Sequence, residues 1–390
     1  MNVIIHRGQN QIGGNIIELA TAQTRILLDV GLELNQEELS LPPVEGLFDH
    51  GAYDAVFISH YHGDHLGLAY YIDRSIPLYI GEASYRIVRA ADEYKGVDTI
   101  QPAGFLNSGA EVVVGDIKVT PFLCDHSAFD SYMLLCEGDG EKVLYTGDFR
   151  ANGRKSFSRL LRSLPTGVDK LICEGTTLTR GDRKQLTEAD LEEDAVSLFR
   201  ETSGPIFVLQ SSTNIDRIVT MYRAAKRSGR IFLQEVYMAD VATAAGATIP
   251  NPSFNDVFAF ITNPTRYDAL RKYRNRIGKA QLPQKSFVMC IRSSMLRYMK
   301  SLSEIVPFTG GVLVYSMWDG YQEQPATKEF LTACEELGLR VVTLHTSGHA
   351  DARTIRALIE YTSPKKIIPV HTERAEWFNQ YRSMSEQKMI

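Results

Sequence analysis

The sequence predicts an α/β protein in which one domain is interrupted by a second and resumed at the end of the chain. Three observations predict it. The opening third reads as short β-prone runs, the middle alternates strands with helices, and the last block returns to the pattern of the first. In the opening part, residues 3–5, 15–20 and 25–29 form a β-meander split by Gly13-Gly14 and by a polar turn. A buried strand over 55–59 runs into His60, and helices are predicted near 67–73 and over 82–94. Strands follow over 111–114, 117–122, 132–136, 142–146 and 171–173. After Glu174 the pattern changes. A helix over 187–202 opens with a Thr-x-x-Asp capping signal and closes before Gly204-Pro205. Strand 206–209, helix 214–227, strand 230–234 and helix 236–245 then alternate as in a parallel α/β unit, continued by strands near 258–261, 286–290 and 311–315. The closing block is strand 340–344, helix 351–361 and strand 366–370, which ends on His371.

At 390 residues the chain exceeds the usual single-domain size and can bury a large core. With 44% hydrophobic and 23% charged residues it has the composition of an ordinary globular protein. No apolar run approaches the roughly 20 residues that span a bilayer. The N-terminus has neither the basic segment nor the long apolar segment of a secretion signal, so a cytoplasmic location is expected. Cys124, Cys136, Cys173, Cys290 and Cys334 are scattered, with no Cys-x-x-Cys pair, and are expected to be buried free thiols. The net charge of −5 is unevenly spread: residues 266–300 hold ten Lys or Arg and one acid, a local balance of +9, so the rest of the chain carries −14. One region therefore attracts a polyanion, unless the stretch is only a solvated helical face.

The decisive segment is Ser59-His60-Tyr61-His62-Gly63-Asp64-His65, three imidazoles and a carboxylate at the end of a buried strand. These are ligand types suited to zinc. His60 and His62, as alternate residues, can face one ion, while Asp64 and His65, beyond the turn at Gly63, can face a second. His126 in Leu-Cys-Asp-His-Ser, Asp148 in Tyr-Thr-Gly-Asp-Phe and His371 in Pro-Val-His-Thr-Glu each follow an apolar strand and can converge on the same sheet edge. Taken singly, Asp148 can be a turn acid and His371 a strand-end histidine. Six of the nine histidines, however, fall at these strand ends or in Thr346-Ser347-Gly348-His349-Ala350.

His-x-His-x-Asp-His with a downstream His, a Thr-Gly-Asp turn and a late His resembles the metallo-β-lactamase superfamily. Ile12-Gly13-Gly14-Asn15 and Leu27-Leu28-Asp29-Val30-Gly31 resemble its opening strands. The resemblance implies a four-layer αββα sandwich with two zinc ions per chain. It assigns His60, His62 and His126 to one ion, Asp64, His65 and His371 to the other, and Asp148 to a bridge between them.

That fold hosts several hydrolytic reactions, so the branch needs further residues. Glu174 in Ile-Cys-Glu-Gly-Thr-Thr, His349, and a late histidine at His371 are similar to the motifs of the β-CASP nucleases, in the pattern of those that process RNA. The insert, with Asn214-Ile215-Asp216-Arg217 opening a helix, resembles a β-CASP domain, and the likeness is greatest to ribonuclease J and its archaeal relatives. The implied domains are a first metallo-β-lactamase part over 1–178, a β-CASP insert over 179–332 and a returning part over 333–390. The implied activity is zinc-dependent hydrolysis of RNA phosphodiesters, exo- or endonucleolytic. Its partner is single-stranded RNA, held through the insert and the cleft between domains, and a homodimer is one assembly the likeness allows. Two metal ions roughly 3.5–4 Å apart can neutralise a phosphoryl oxygen and activate water near neutral pH. In that scheme Asp64 orients the water or accepts its proton. His349 contacts the phosphate or protonates the leaving oxygen, and Glu174 fixes an imidazole from behind.

Two stretches depart from the ribonuclease J pattern. Cys290-Ile291-Arg292-Ser293-Ser294-Met295 stands where those enzymes have Gly-Ser-Gln-Gly-Glu, and Tyr315-Ser316-Met317-Trp318-Asp319-Gly320-Tyr321 replaces a late phosphate-binding loop. Trp318 and Tyr321 are expected to be packed rather than presented to bases. The sequence also ends at Ile390, before the C-terminal domain those enzymes commonly use in assembly. Two rival readings share the fold. One is a thioesterase or lactonase, which needs neither the insert, His349 nor the basic stretch. The other is a catalytically inactive RNA-binding subunit, which does not need the full ligand set.

Overall fold

The computed structural model describes residues 1–34, 38–181 and 185–381; the end of the expected returning part, 382–390, lies outside the described residues. The chain forms two units, Met1–Gln185 with Gly348–Ile390, and Leu186–Ser347.

The first unit contains two six-stranded sheets. One runs β1 (Asn2–Arg7), β2 (Ile16–Ala20), β3 (Arg25–Val30), β4 (Ala55–Phe57), β5 (Leu78–Gly81) and β6 (Gly104–Leu106) in sequence order. The other is built from β7 (Val112–Val114), β8 (Ile117–Cys124), β9 (Ser131–Gly138), β10 (Glu141–Tyr145) and β11 (Lys170–Cys173). The returning strand of the first unit (Lys366–Pro369) completes it, pairing in parallel with β11. Period-two alternation decides how the sheets stack. On β9, Tyr132, Leu134 and Cys136 join Ile17, Leu19, Ile26, Leu28 and Phe57 of the first sheet in one core. Met133 and Leu135 face the other way. There they pack with Leu160 of a short helix and with Ile355, Leu358 and Ile359 of a helix near the chain's end. The short helix α1 (Gly63–Leu66) and the longer α2 (Glu82–Lys95) accompany the first sheet. This is the expected αββα layering.

The helix predicted near 67–73 is instead α1 followed by turns. The Leu68 N–H is taken by the Val30 carbonyl at the end of β3, and the Ala69 and Tyr71 N–H groups make i−3 bonds to Leu66 and Leu68. Helix α3 (Phe157–Ser163) is capped by Ser156. All five cysteines are buried free thiols. Among the described residues, no helix is long and apolar enough to cross a membrane.

The second unit is a parallel α/β sheet. Helix α4 (Glu188–Glu201) carries the expected capping box between Thr187 and Asp190. Then come β12 (Ile206–Leu209), α5 (Ile215–Arg227), β13 (Ile231–Glu235), α6 (Val236–Ala245), β14 (Val257–Phe260) and α7 (Tyr267–Arg271). β15 (Phe287–Ile291), α8 (Leu296–Ser303), β16 (Val312–Tyr315), α9 (Pro325–Glu336) and β17 (Arg340–Thr343) complete it, in the spatial order β14-β13-β15-β12-β16-β17. The returning first-unit elements are therefore α10 (Ala352–Thr362) and β18 (Lys366–Pro369). The expected boundary at 332/333 falls inside α9. Because β17 pairs in parallel with β16, residues 333–347 belong with the insert rather than with the returning part.

Candidate metal centre

Strand ends deliver the site. His60 follows β4, His126 follows β8, Asp148 follows β10, Glu174 follows β11 and His371 follows β18, while His349 precedes α10. Residues 61–64 are held from behind by main chain: Leu32 N–H donates to the Gly63 carbonyl at 2.9 Å and Asn15 N–H to that of Asp64 at 3.1 Å. Gly31 permits this approach, since a Cβ there would lie 1.7 Å from the Asp64 carbonyl oxygen. The ends of β8 and β10 are tied by Arg150 N–H donating to the Asp125 carbonyl at 2.7 Å.

All seven residues singled out as ligands come together. They form two groups, His60 with His62 and His126, and Asp64 with His65, Asp148 and His371; ligand atoms in each lie within 4.8 Å of one another. Asp148 sits at the focus. Its Oδ2 is 3.2 Å from His65 Nε2, 3.7 Å from His60 Nε2, 3.8 Å from His371 Nε2 and 3.9 Å from His126 Nε2. His62 turns its Nδ1 inward, 3.1 Å from His126 Nε2, and Asp64 Oδ2 is 3.0 Å from His371 Nε2.

Four of the imidazoles are oriented by a partner on the far side of the ring. Ser59 Oγ donates to Asp29, so it accepts from His60 Nδ1 at 3.0 Å. His65 Nδ1 donates to Asp29 Oδ2 at 2.7 Å, and His126 Nδ1 to the Gly348 carbonyl. Thr176 Oγ1 donates to Glu174 and so accepts from His371 Nδ1 at 2.8 Å. Each bond places the ring proton on Nδ1 and leaves Nε2 aimed inward, the arrangement that metal-binding histidines use. Inside, His60 Nε2, His65 Nε2 and both carboxylate oxygens of Asp148 are buried without a hydrogen-bond partner. Buried polar atoms left unmet in such number are costly, and a cation among them satisfies all four.

The protonation pattern fits a cation too. Burial holds His60 and His126 well below the ordinary imidazole value and His62 at about 4, so these three present neutral lone pairs. Burial also opposes the charge of His65, but the carboxylates of Asp148, Asp29 and Asp64 raise it well above the usual value. What favours a proton there favours a metal cation in its place. Burial likewise works against Asp148, yet His371, His65 and His349 keep it far below the usual carboxylate range.

Glu174 and His349 adjoin this cluster. Glu174 Oε1 accepts from the N–H of Phe149 at 3.1 Å and of Ala350 at 3.4 Å, and Oε2 lies 3.3 Å from His349 Nδ1. His349 Nδ1 is also 3.6 Å from Asp148 Oδ2, and its side chain keeps 22% of its surface exposed, against 0–1% for His60, His65, His126 and His371. Burial disfavours its charge, but Glu174 and Asp148 outweigh that and raise it to about 9. Sequence reasoning missed Ser59, Thr176 and the orienting role of Asp29. Asp29 and His371 adopt left-handed backbone, φ 59° and 51°, a strained state in non-glycine residues that clusters at functional sites.

Within the second unit the basic stretch divides. Arg274, Lys285, Arg297 and Lys300 are exposed. Arg292 is half-buried, 3.0 Å from the buried Glu235 carboxylate and over the Tyr237 ring at 5.1 Å, while Lys272 pairs with Asp240 at 2.6 Å. Trp318 and Tyr321, expected to be packed, are 49% and 42% exposed, and their rings meet edge to face at 5.3 Å.

Residues 24–210 match the family described as the beta-lactamase superfamily domain, and residues 336–387 match the Zn-dependent metallo-hydrolase RNA specificity domain. Both matches support a β-CASP protein of the metallo-β-lactamase superfamily. Among its relatives, an RNase J-like protein of Methanocaldococcus jannaschii is 27% identical, with 97% of this chain and 93% of that one aligned. Ribonuclease J of Sinorhizobium meliloti is 22% identical over 90% of this chain and 64% of its own length. Ribonuclease J 1 of Streptococcus pyogenes is 21% identical over 94% and 67%. The chain thus spans about two thirds of the bacterial relatives' length. A crystal structure of a protein of unknown function from Enterococcus faecalis shares the fold, with a TM-score of 0.75 and 22% identity over 96% of this chain and 94% of that one.

Proposed function

We propose that this β-CASP protein is a zinc-dependent ribonuclease that hydrolyses RNA phosphodiester bonds. The observation that carries the reading is the pair of ligand clusters meeting at Asp148, beside a third group of Asp148, Glu174, His371 and His349 whose His349 imidazole the two-ion assignment leaves over for the reaction. His60, His62 and His126 would hold one zinc ion, Asp64, His65 and His371 a second, and Asp148 would bridge them. Metal held there supplies Lewis acidity toward a phosphoryl oxygen and activates water near neutral pH. The remaining steps fall to side chains. Asp64 orients the attacking water or accepts its proton. His349, kept charged by Glu174, contacts the scissile phosphate or returns a proton to the leaving oxygen. Through Thr176, the same Glu174 also steadies the His371 ring.

The RNA-specificity match and the names of the relatives support RNA as the substrate. Single-stranded RNA would approach along the exposed cations of 266–300, in the cytoplasm, with a homodimer as one assembly. A thioesterase or lactonase on the same ligands leaves the Glu174–His349 pair without a task. The test is to incubate zinc-loaded protein with labelled single-stranded RNA carrying 5′-hydroxyl, mono- or triphosphate ends. Cleavage that chelation abolishes and zinc restores is expected. Intact RNA in the presence of fully metal-loaded protein would refute the reading.

A further inference from the structure

Arg217 is completely buried in the second unit, and all five of its N–H donors are used. Nε and Nη2 grip the buried Glu188 carboxylate at 3.3 and 3.1 Å, and Nη1 reaches the Ser316 carbonyl at 3.2 Å and its hydroxyl. The second Nη2 hydrogen goes to the Thr346 carbonyl at 3.3 Å. Neighbouring bonds extend the clasp: Thr220 Oγ1 donates to Glu188 at 2.7 Å, Ser316 Oγ to the Leu344 carbonyl at 2.6 Å, and Thr346 Oγ1 to the Leu186 carbonyl. Leu186 is the first residue of the insert and Ser347 its last, so one guanidinium holds together the chain where it enters and where it leaves.

A buried ion pair is a poor source of stability, because well-packed apolar residues often do as well. What a saturated guanidinium supplies is a single geometry, since its planar fork meets five acceptors in fixed directions. Here the geometry is imposed directly on the carbonyl of Thr346, three residues before His349, and through Ser316 on that of Leu344, five residues before it. Two of the next three residues along the chain from Thr346 are already committed: the Gly348 carbonyl accepts from His126 Nδ1, and His349 Nδ1 lies 3.3 Å from Glu174. We propose that Arg217 is a positioning residue for the reaction. By fixing the exit of the insert, it sets the path of 346–349 and thereby the placement of His349 against the scissile phosphate. The inference rests on the ribonuclease reading.

The test compares wild type with Arg217→Met/Glu188→Met, which removes both charges together, and with Ser316→Ala, which removes one acceptor and one donor. Tm, zinc content, kcat and KM for RNA, and amide exchange over 344–352 are measured on the full chain. Both variants are expected to bind zinc normally. In the double variant kcat should fall roughly 10–100-fold with KM little changed, the scale of a small misplacement; Ser316→Ala should fall several-fold in the same sense, about 3-fold or more. Exchange over 344–352 should quicken in both. Wild-type kcat in either folded variant, or a rise in KM alone, would overturn the proposal. If the double variant does not fold, Ser316→Ala decides. If wild type leaves RNA intact, the ribonuclease reading fails, whereas unchanged exchange over 344–352 refutes the clasp by itself.

Discussion

In residues 59–65 the side chains of His60, His62, Asp64 and His65 turn to a shared focus, whereas between 266 and 300 Arg274, Lys285, Arg297 and Lys300 spread into solvent. Both stretches are chemically dense in the sequence. In the first, every ring but that of His62 has a partner that fixes its direction, and the atoms left over are buried and unmet. In the second, the fold itself consumes part of the charge, as the pairing of Arg292 with Glu235 and of Lys272 with Asp240 makes plain. Density of a residue type is thus a promise of chemistry only where the main chain makes the groups converge. Where they diverge, the same density acts as a diffuse field, sensitive to salt.

That contrast yields experiments, beginning with the convergent side. His62→Ala and Asp148→Ala should each lower RNA hydrolysis by about 10⁴-fold or more, as when one member of a unit that acts together is removed. Metal analysis should find fewer than two zinc ions per chain in a folded protein, and full activity in either variant would sink the assignment. Next, His349→Ala should retain both ions, since the seven proposed ligands are left untouched, yet slow cleavage by roughly 10²–10⁴-fold. Zinc lost in step with activity would make His349 a ligand instead.

A smaller effect is expected one layer out. Asp29→Asn replaces the carboxylate that His65, Ser59 and Tyr145 all address, and should weaken zinc affinity or activity by about 10–100-fold. Zinc titration against a competing chelator measures it. An unchanged affinity and rate would reduce Asp29 to a packing residue.

On the divergent side, Arg274→Gln, Arg297→Gln and Lys300→Gln together should weaken RNA binding and lower its salt slope by about 1 for each phosphate no longer neutralised. Hydrolysis of a small chromogenic phosphodiester should hardly change. Arg292→Gln serves as the contrast, lowering Tm because it strands the Glu235 carboxylate, with little effect on the salt slope. If the four substitutions behave alike, the division of the stretch into structural and free cations is wrong.

How much could be read from the chain follows from how local each feature is. The strand endings at His60, Asp148 and His371 were legible because short apolar runs and the turns after them are local signals. Helix α4 was legible because Thr187 and Asp190 cap it three residues apart. β5 and β6 were missed, being strands of four and three residues whose partners are supplied from elsewhere in the sheet. So was α9, which starts at Pro325 after a turn with no capping side chain. The edge strand β17 was found but placed in the returning part of the first domain, because a short apolar strand does not name its partner.

The same division runs through the site. The sequence by itself determined which side chains can bind metal, since imidazole and carboxylate chemistry and the spacing of 60–65 do not depend on the rest of the fold. Only the tertiary structure decided which nitrogen of each ring points inward. That choice is made by Ser59, Asp29, Thr176 and the Gly348 carbonyl, and the last three lie 36, 195 and 222 residues from the rings they turn. A ring can rotate about its own bonds at little cost, so its direction belongs to whichever buried acceptor the packed chain sets beside it.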